Sequence, residues 1–110
     1  MKNFSEKIQS LRNEYSDLDL TLEDLNHDPI IQFTKWLDEA IETQIYEPNA
    51  MVIATVDENA PRSRYVLFKN IINDNLIFHS HYESPKAMEI FANPNVSGIF
   101  YWAEIHRQVR

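Results

Sequence analysis

RSRYVLFKN, residues 62–70, is apolar in the middle and basic towards both ends. Tyr65, Val66, Leu67 and Phe68 are aromatic or aliphatic residues that suit a pleated, half-buried strand. Alternation puts Arg64, Val66 and Phe68 on one face and Tyr65, Leu67 and Lys69 on the other. The basic ends stand out in a chain with ten Lys and Arg against seventeen Asp and Glu, a net charge of -7. A local reversal of charge marks either an anion site or a solvated rim. Because Arg64 and Lys69 lie on opposite faces, a shared anion requires a bulge, a twist, or two anionic groups on one extended ligand.

Working outward, the neighbouring segments read as further strands. AMVIATVD (50–57) is a nearly continuous apolar run, DENAP (57–61) a turn, NDN (73–75) another, and LIFHSH (76–81) a third strand. Turns this short imply an antiparallel meander. Ser84-Pro85 caps a helix, PKAMEIFAN, that stops at Asn93-Pro94, and VSGIFYW (96–102) forms a fourth strand. RQVR (107–110) opens a fifth, whose far edge calls for an antiparallel partner.

The first part of the chain is helical in pattern. In SEKIQSLRNEY (5–15), Ile8, Leu11 and Tyr15 keep helical spacing behind a Ser5 cap, and the acidic SDLDLTLEDLNHD (16–28) reads as a linker or arm. Asp28-Pro29 starts a second helix. Phe33, Trp36 or Leu37, Ala40, Ile41 and Ile45 form its apolar stripe, and it ends before Glu47-Pro48. Trp36 reads as core. Tyr101 and Trp102 suit a core or an interface.

Composition narrows the function. With 110 residues, 44% hydrophobic and 25% charged, one small soluble domain is expected, and a core of that size gains from a partner subunit. The acidic balance argues against nucleic acid, which needs a broad positive face. No run reaches membrane-spanning length, no apolar signal core follows MKNFSEKIQS, and there is no cysteine, so a cytoplasmic protein without disulfides or thiolate metal sites is expected. Gly98 is the single glycine, which rules out glycine-rich phosphate loops; any phosphate must be gripped by side chains.

Few residues carry chemistry on spacing alone. Lys86 lies in the first turn behind the Ser84-Pro85 cap, where the helix dipole favours an anion, although taken alone an ordinary surface lysine on a capped helix is the better reading. His79 and His81 share a strand face in this reading but lack a third metal ligand, so no metal is expected. No serine sits in a nucleophile elbow.

Taken together, DPIIQFTKWLDEAIETQIYEPNAMVIATVDENAPRSRYVLFK (28–69) and SPKAMEIFANPNVSGIFYWAEIHRQVR (84–110) resemble the amino-terminal half of pyridoxamine 5'-phosphate oxidases, with a weaker match at RNEY (12–15). The resemblance implies an α+β fold, a mainly β, antiparallel split barrel of the FMN-binding type, incomplete at its C-terminus. Residues 1–27 would be the N-terminal helix and arm, and 28–110 the truncated FMN-binding domain. FMN would sit at a homodimer interface, with Arg64 on its phosphate and the backbone of Arg64, Tyr65, Val66, Leu67, Phe68 and Lys69 along the flavin. By the same resemblance His79, Ser80, Lys86 and Gln108 contact flavin, Lys69 lies near the substrate phosphate, and Arg12 to Tyr15 belong to an arm over the substrate. No catalytic residue is assignable.

The implied activity is FMN-dependent oxidation of pyridoxamine or pyridoxine 5'-phosphate to pyridoxal 5'-phosphate, with oxygen as acceptor. The alternative is a truncated FMN- or pyridoxal-phosphate-binding module without turnover. Three departures bear on the choice. His79-Ser80 replaces the usual aromatic followed by Thr or Ser, Pro85 replaces a basic residue, and DENAP lacks its usual glycine.

Overall fold

The computed structural model describes residues 1–11 and 20–110. Strands β1 (Ala50–Asp57), β2 (Ala60–Ile72), β3 (Asn75–Phe78), β4 (Ser97–Trp102) and β5 (Arg107–Val109) form one open antiparallel sheet in the order β3-β2-β1-β4-β5. Helices α1 (Phe4–Gln9), α2 (Pro29–Glu42) and α3 (Pro85–Ala92) complete the α+β fold expected from the sequence. It is not a simple meander. The chain leaves β3 through α3 and returns as β4 on the far side of β1, which makes β1 the central strand.

Side-chain alternation divides the sheet into two faces. Met51, Ile53, Val66, Phe68, Phe100 and Trp102 line the inner face and are buried with Phe33 and Ala40 of α2. Phe33 is the hub: its ring packs edge-on to Phe68 at 5.6 Å and lies 4.9 Å from Phe100 and 6.1 Å from Trp102. Trp102 is 1% exposed, and its indole N–H donates to the Pro48 carbonyl at 2.7 Å, so a large ring is buried without stranding its polar atom. Tyr101, the next residue back, is 63% exposed on the outer face. Trp36 packs against the core while the Arg107 guanidinium lies 5.1 Å above its ring.

Local chemistry sets the element ends. Asp28 caps α2 by accepting from the Ile30 and Ile31 amides, with Pro29 in the first turn as expected. The helix closes at Glu42, earlier than Pro48 would require. Gln44 turns left-handed at φ 62°, its N–H reaches the Ile41 carbonyl, and the Ile45 N–H reaches the Ala40 carbonyl. That double closure ends the helix and folds Ile45 back onto the core.

Three other boundaries also differ from the expectation. At the N-terminus, Asn3 and Glu6 form a reciprocal capping box, so α1 begins at Phe4 rather than behind Ser5, and it ends at Gln9. β2 extends to Ala60 because the turn after β1 uses only Glu58 and Asn59, with Glu58 left-handed at φ 57°. β3 stops at Phe78, so His79 and His81 share no strand face; the chain leaves the sheet there to reach the α3 cap, where the Ser80 and Ser84 hydroxyls meet at 3.0 Å. Between β2 and β3, Asn73 and Asp74 both adopt positive φ, the two-residue hairpin turn that matches strand twist.

Because Phe33 joins the helix to three rings of the sheet, Phe33→Ala should destabilise the fold by about 3–5 kcal/mol, read as a lowered urea midpoint. Phe33→Leu, which refills most of the volume, should cost less than half as much.

Candidate functional site

Arg64, on the inner face of β2, opens the candidate site. Its side chain is 23% exposed. Nη1 donates to the Thr55 hydroxyl at 2.7 Å and, more weakly, to the Ile53 carbonyl at 3.4 Å. Nη2 donates to Glu89 Oε2 at 2.9 Å. The Thr55 hydroxyl in turn donates to the same carboxylate oxygen. Arg62, two residues back on the same face, places Nε 3.1 Å from Glu89 Oε1, and its Nη1 lies 3.5 Å from Asp57.

Secondary structure brings these groups together. Thr55 and Arg62 are cross-strand partners in the β1–β2 ladder, and Ile53 faces Arg64. Glu89 comes from α3, where it is the one residue the helix fully buries, at 7% exposure. A carboxylate so buried needs compensation, and it receives a hydroxyl and two guanidinium groups. The Thr55 hydrogen bond, helped by Arg64 and Arg62, holds the Glu89 carboxyl below its ordinary value of 4.5 despite the opposing effect of burial.

The other residues singled out from sequence fall into three places. Tyr65 and Leu67 are exposed on the outer face, and Lys69 sits at the bulge where the β2–β3 register slips between Phe68 and Asn70. Gln108 is exposed in β5, opposite Tyr101 and at the other end of the sheet order. Lys86 is half-buried in the first turn of α3, next to the Ser84 cap that Ser80 touches; His79 is exposed nearby. Val66 and Phe68 point into the core, so only their backbone can meet a ligand. Arg12 and Tyr15 lie outside the described residues.

The edge of β2 matters more than either face. β3 pairs with β2 only from Phe68 to Ile72, leaving residues 60–67 without a strand partner on the side away from β1 among the described residues. A ligand lying along that edge passes Arg64 from one face and Tyr65 and Leu67 from the other. Of the alternatives open in the sequence, the structure shows a bulge, at Lys69.

Thr55 and Glu89 were not singled out from sequence. A signal existed: Glu89 interrupts the apolar face of PKAMEIFA, and Thr55 is a polar residue at an inward position of β1. Among the described residues no three His, Asp or Glu side chains gather as a metal site, and no helix is long and apolar enough to cross a membrane.

Residues 37–110 match the family model described as pyridoxamine 5'-phosphate oxidase. The chain belongs to this family. A pyridoxine/pyridoxamine 5'-phosphate oxidase of Leptospira interrogans is 42% identical over 105 residues, covering 94% of this chain and 49% of the relative. One from Burkholderia mallei is 43% identical over 104 residues, with the same shares covered. The chain thus spans about half the length of the curated relatives it matches.

Solved structures support the same fold. PhzG from Burkholderia lata, crystallised with tetrahydrophenazine-1-carboxylic acid, superposes with a TM-score of 0.75 at 29% identity, covering 83% of this chain and 47% of that one. A family-related FMN-binding protein of Nostoc punctiforme gives 0.63 at 23% identity, covering 74% of this chain and 44% of that one, and shares the fold. The open sheet is part of the split barrel expected from sequence.

A depressed carboxyl contributes stability above its unfolded value and loses it as pH falls through the folded one. The advantage of the wild type over Glu89→Gln should therefore be full above pH 4.5 and shrink below it. Urea midpoints of the two proteins between neutral pH and pH 3 read this directly, since the other carboxylates titrate in both.

Proposed function

We propose that this chain builds the phosphate-gripping half of an FMN site and takes part in oxidation of pyridoxine or pyridoxamine 5'-phosphate to pyridoxal 5'-phosphate. The observation that carries the reading is the unpaired edge of β2 with Arg64 beside it. Family membership supplies the chemical class, and the relatives' names supply the substrate.

The residues present fit an anionic, ring-bearing cofactor. Arg64 offers its Nε–H, which has no acceptor among the described residues. Lys86 adds positive charge at the N-terminus of α3, where backbone N–H groups and the helix dipole also favour an anion. The exposed Tyr65 and Leu67 give the ring an apolar neighbour, and Gln108 brings an amide to the outer face. Lys69 attracts the substrate phosphate, and the family resemblance adds Arg12 and Tyr15 to the residues that contact the substrate. FMN, when bound, supplies the hydride acceptance and the reaction with oxygen; the protein supplies charge and orientation.

The exposed outer face, with Tyr65 at 78%, supports a homodimer that would cover it. A soluble cytoplasmic location is part of the same proposal. A second reading is a binding module without turnover, which the contacts around Arg64 suit equally, since each of them serves to hold an anion.

Two measurements separate the readings. Gel filtration after incubation with FMN should leave flavin absorbance in a dimer-sized peak, and Arg64→Ala should weaken retention roughly tenfold or more, the value of a charge-assisted hydrogen bond. Unchanged FMN affinity in that variant removes Arg64 from the site. Hydrogen peroxide release with pyridoxine 5'-phosphate then indicates an oxidase, whereas retained flavin without peroxide indicates the module.

A further inference from the structure

We infer that Glu89 and Thr55 are positioning residues for the anion site: together they hold the tip of the Arg64 guanidinium so that its Nε–H edge is presented to a phosphate. The inference rests on the proposed role of Arg64 and extends it to two residues that need not touch the ligand.

The geometry gives each atom a task. Thr55 takes Nη1 and Glu89 Oε2 takes Nη2, while the Thr55 hydroxyl bonds the same carboxylate oxygen and closes a three-membered ring of hydrogen bonds. Each tip nitrogen thus has an acceptor, and Nη2 keeps a second N–H. The Nε–H has no acceptor among the described residues, nor is Nε one of the buried polar atoms left unsatisfied, so this edge reaches solvent. Arginine is a long side chain with large rotamer entropy, and fixing it before the ligand arrives removes that cost from binding.

Charge alone argues for the opposite effect. Glu89 is a fixed anion beside the two arginines, and a competing anion would weaken phosphate binding. Orientation prevails in the geometry because the carboxylate occupies the tip and leaves the side edge open, rather than covering both. Glutamine can keep part of this arrangement. Its single oxygen can still accept from Thr55 and Arg64, although the amide group turned towards Arg62 then loses that contact.

The test compares FMN with riboflavin, which share the ring and differ in the phosphate. Quenching of flavin fluorescence gives both affinities, and their ratio reports the phosphate contact. Glu89→Ala and Thr55→Val should each reduce the FMN preference about tenfold, while Glu89→Gln and Thr55→Ser should stay within about threefold of the wild type. Thr55→Val keeps its volume and guards against Glu89→Ala failing to fold. Equal weakening of both flavins, or a preference that rises when Glu89 is removed, overturns the inference; the latter identifies Glu89 as a competitor.

A flavin-free arm separates this from failure of the cofactor reading. In protein labelled with nitrogen-15 arginine, inorganic phosphate should shift the Arg64 Nε–H resonance in the wild type and in Thr55→Ser, and leave it unmoved in Thr55→Val. That pattern in a protein that binds neither flavin would retain the clamp and reject FMN as its ligand. A wild-type resonance indifferent to phosphate, with no preference for FMN over riboflavin, would reject the clamp itself.

Discussion

A carboxylate buried at 7% exposure must be matched, and matching Glu89 fixes the relation of α3 to the sheet. Its partners come from β1 and β2: Thr55 on one strand, Arg62 and Arg64 on the other. Removing either side leaves an uncompensated group, which costs more than the pair contributes. The helix is therefore held at a defined place by polar contacts, while Phe33 and its neighbouring rings hold α2 by shape. One end of the sheet is tied by charge and the rest by apolar packing. The candidate site lies at the charged end.

The elements that could be read from the sequence are those whose signals are local. Asp28-Pro29 and Ser84-Pro85 combine a side-chain cap with a proline that needs no amide partner, and both helices start there. β1 spans the residues expected of it, because its apolar run is bounded by turn residues. The alternation of β2 also held: Val66 and Phe68 are buried, and Tyr65 and Leu67 are exposed. The boundaries that moved are set by backbone bonds and side-chain contacts only three to five residues apart, which the letters themselves do not announce. α2 ended early through backbone bonds around Gln44, and β3 ended early because Ser80 is drawn towards the α3 cap.

The site was legible in the same uneven way. Arg64 stood out because it is basic in an apolar strand, and its resemblance to a family residue gave it a role. Thr55 and Glu89 did not stand out, since a threonine in a strand and a glutamate in a helix are ordinary letters. Their meaning appears only when the β1–β2 register and the α3 crossover bring residues 55, 64 and 89 together. Pairing across 25 and 34 residues of chain has no signature in periodicity.

The unpaired stretch of β2 has a further consequence. Exposed strand edges are templates on which another chain can add a strand. Here the edge is flanked by Arg62 and Arg64, whose charges are partly spent on Glu89 and Asp57 and so guard it less than free arginines would. A small molecule lying along this edge would occupy the groups that an intruding strand needs, and a ligand that binds only the native form also lowers the unfolded population. Occupancy would then act as protection against aggregation, linking how long the protein stays in solution to how much ligand surrounds it.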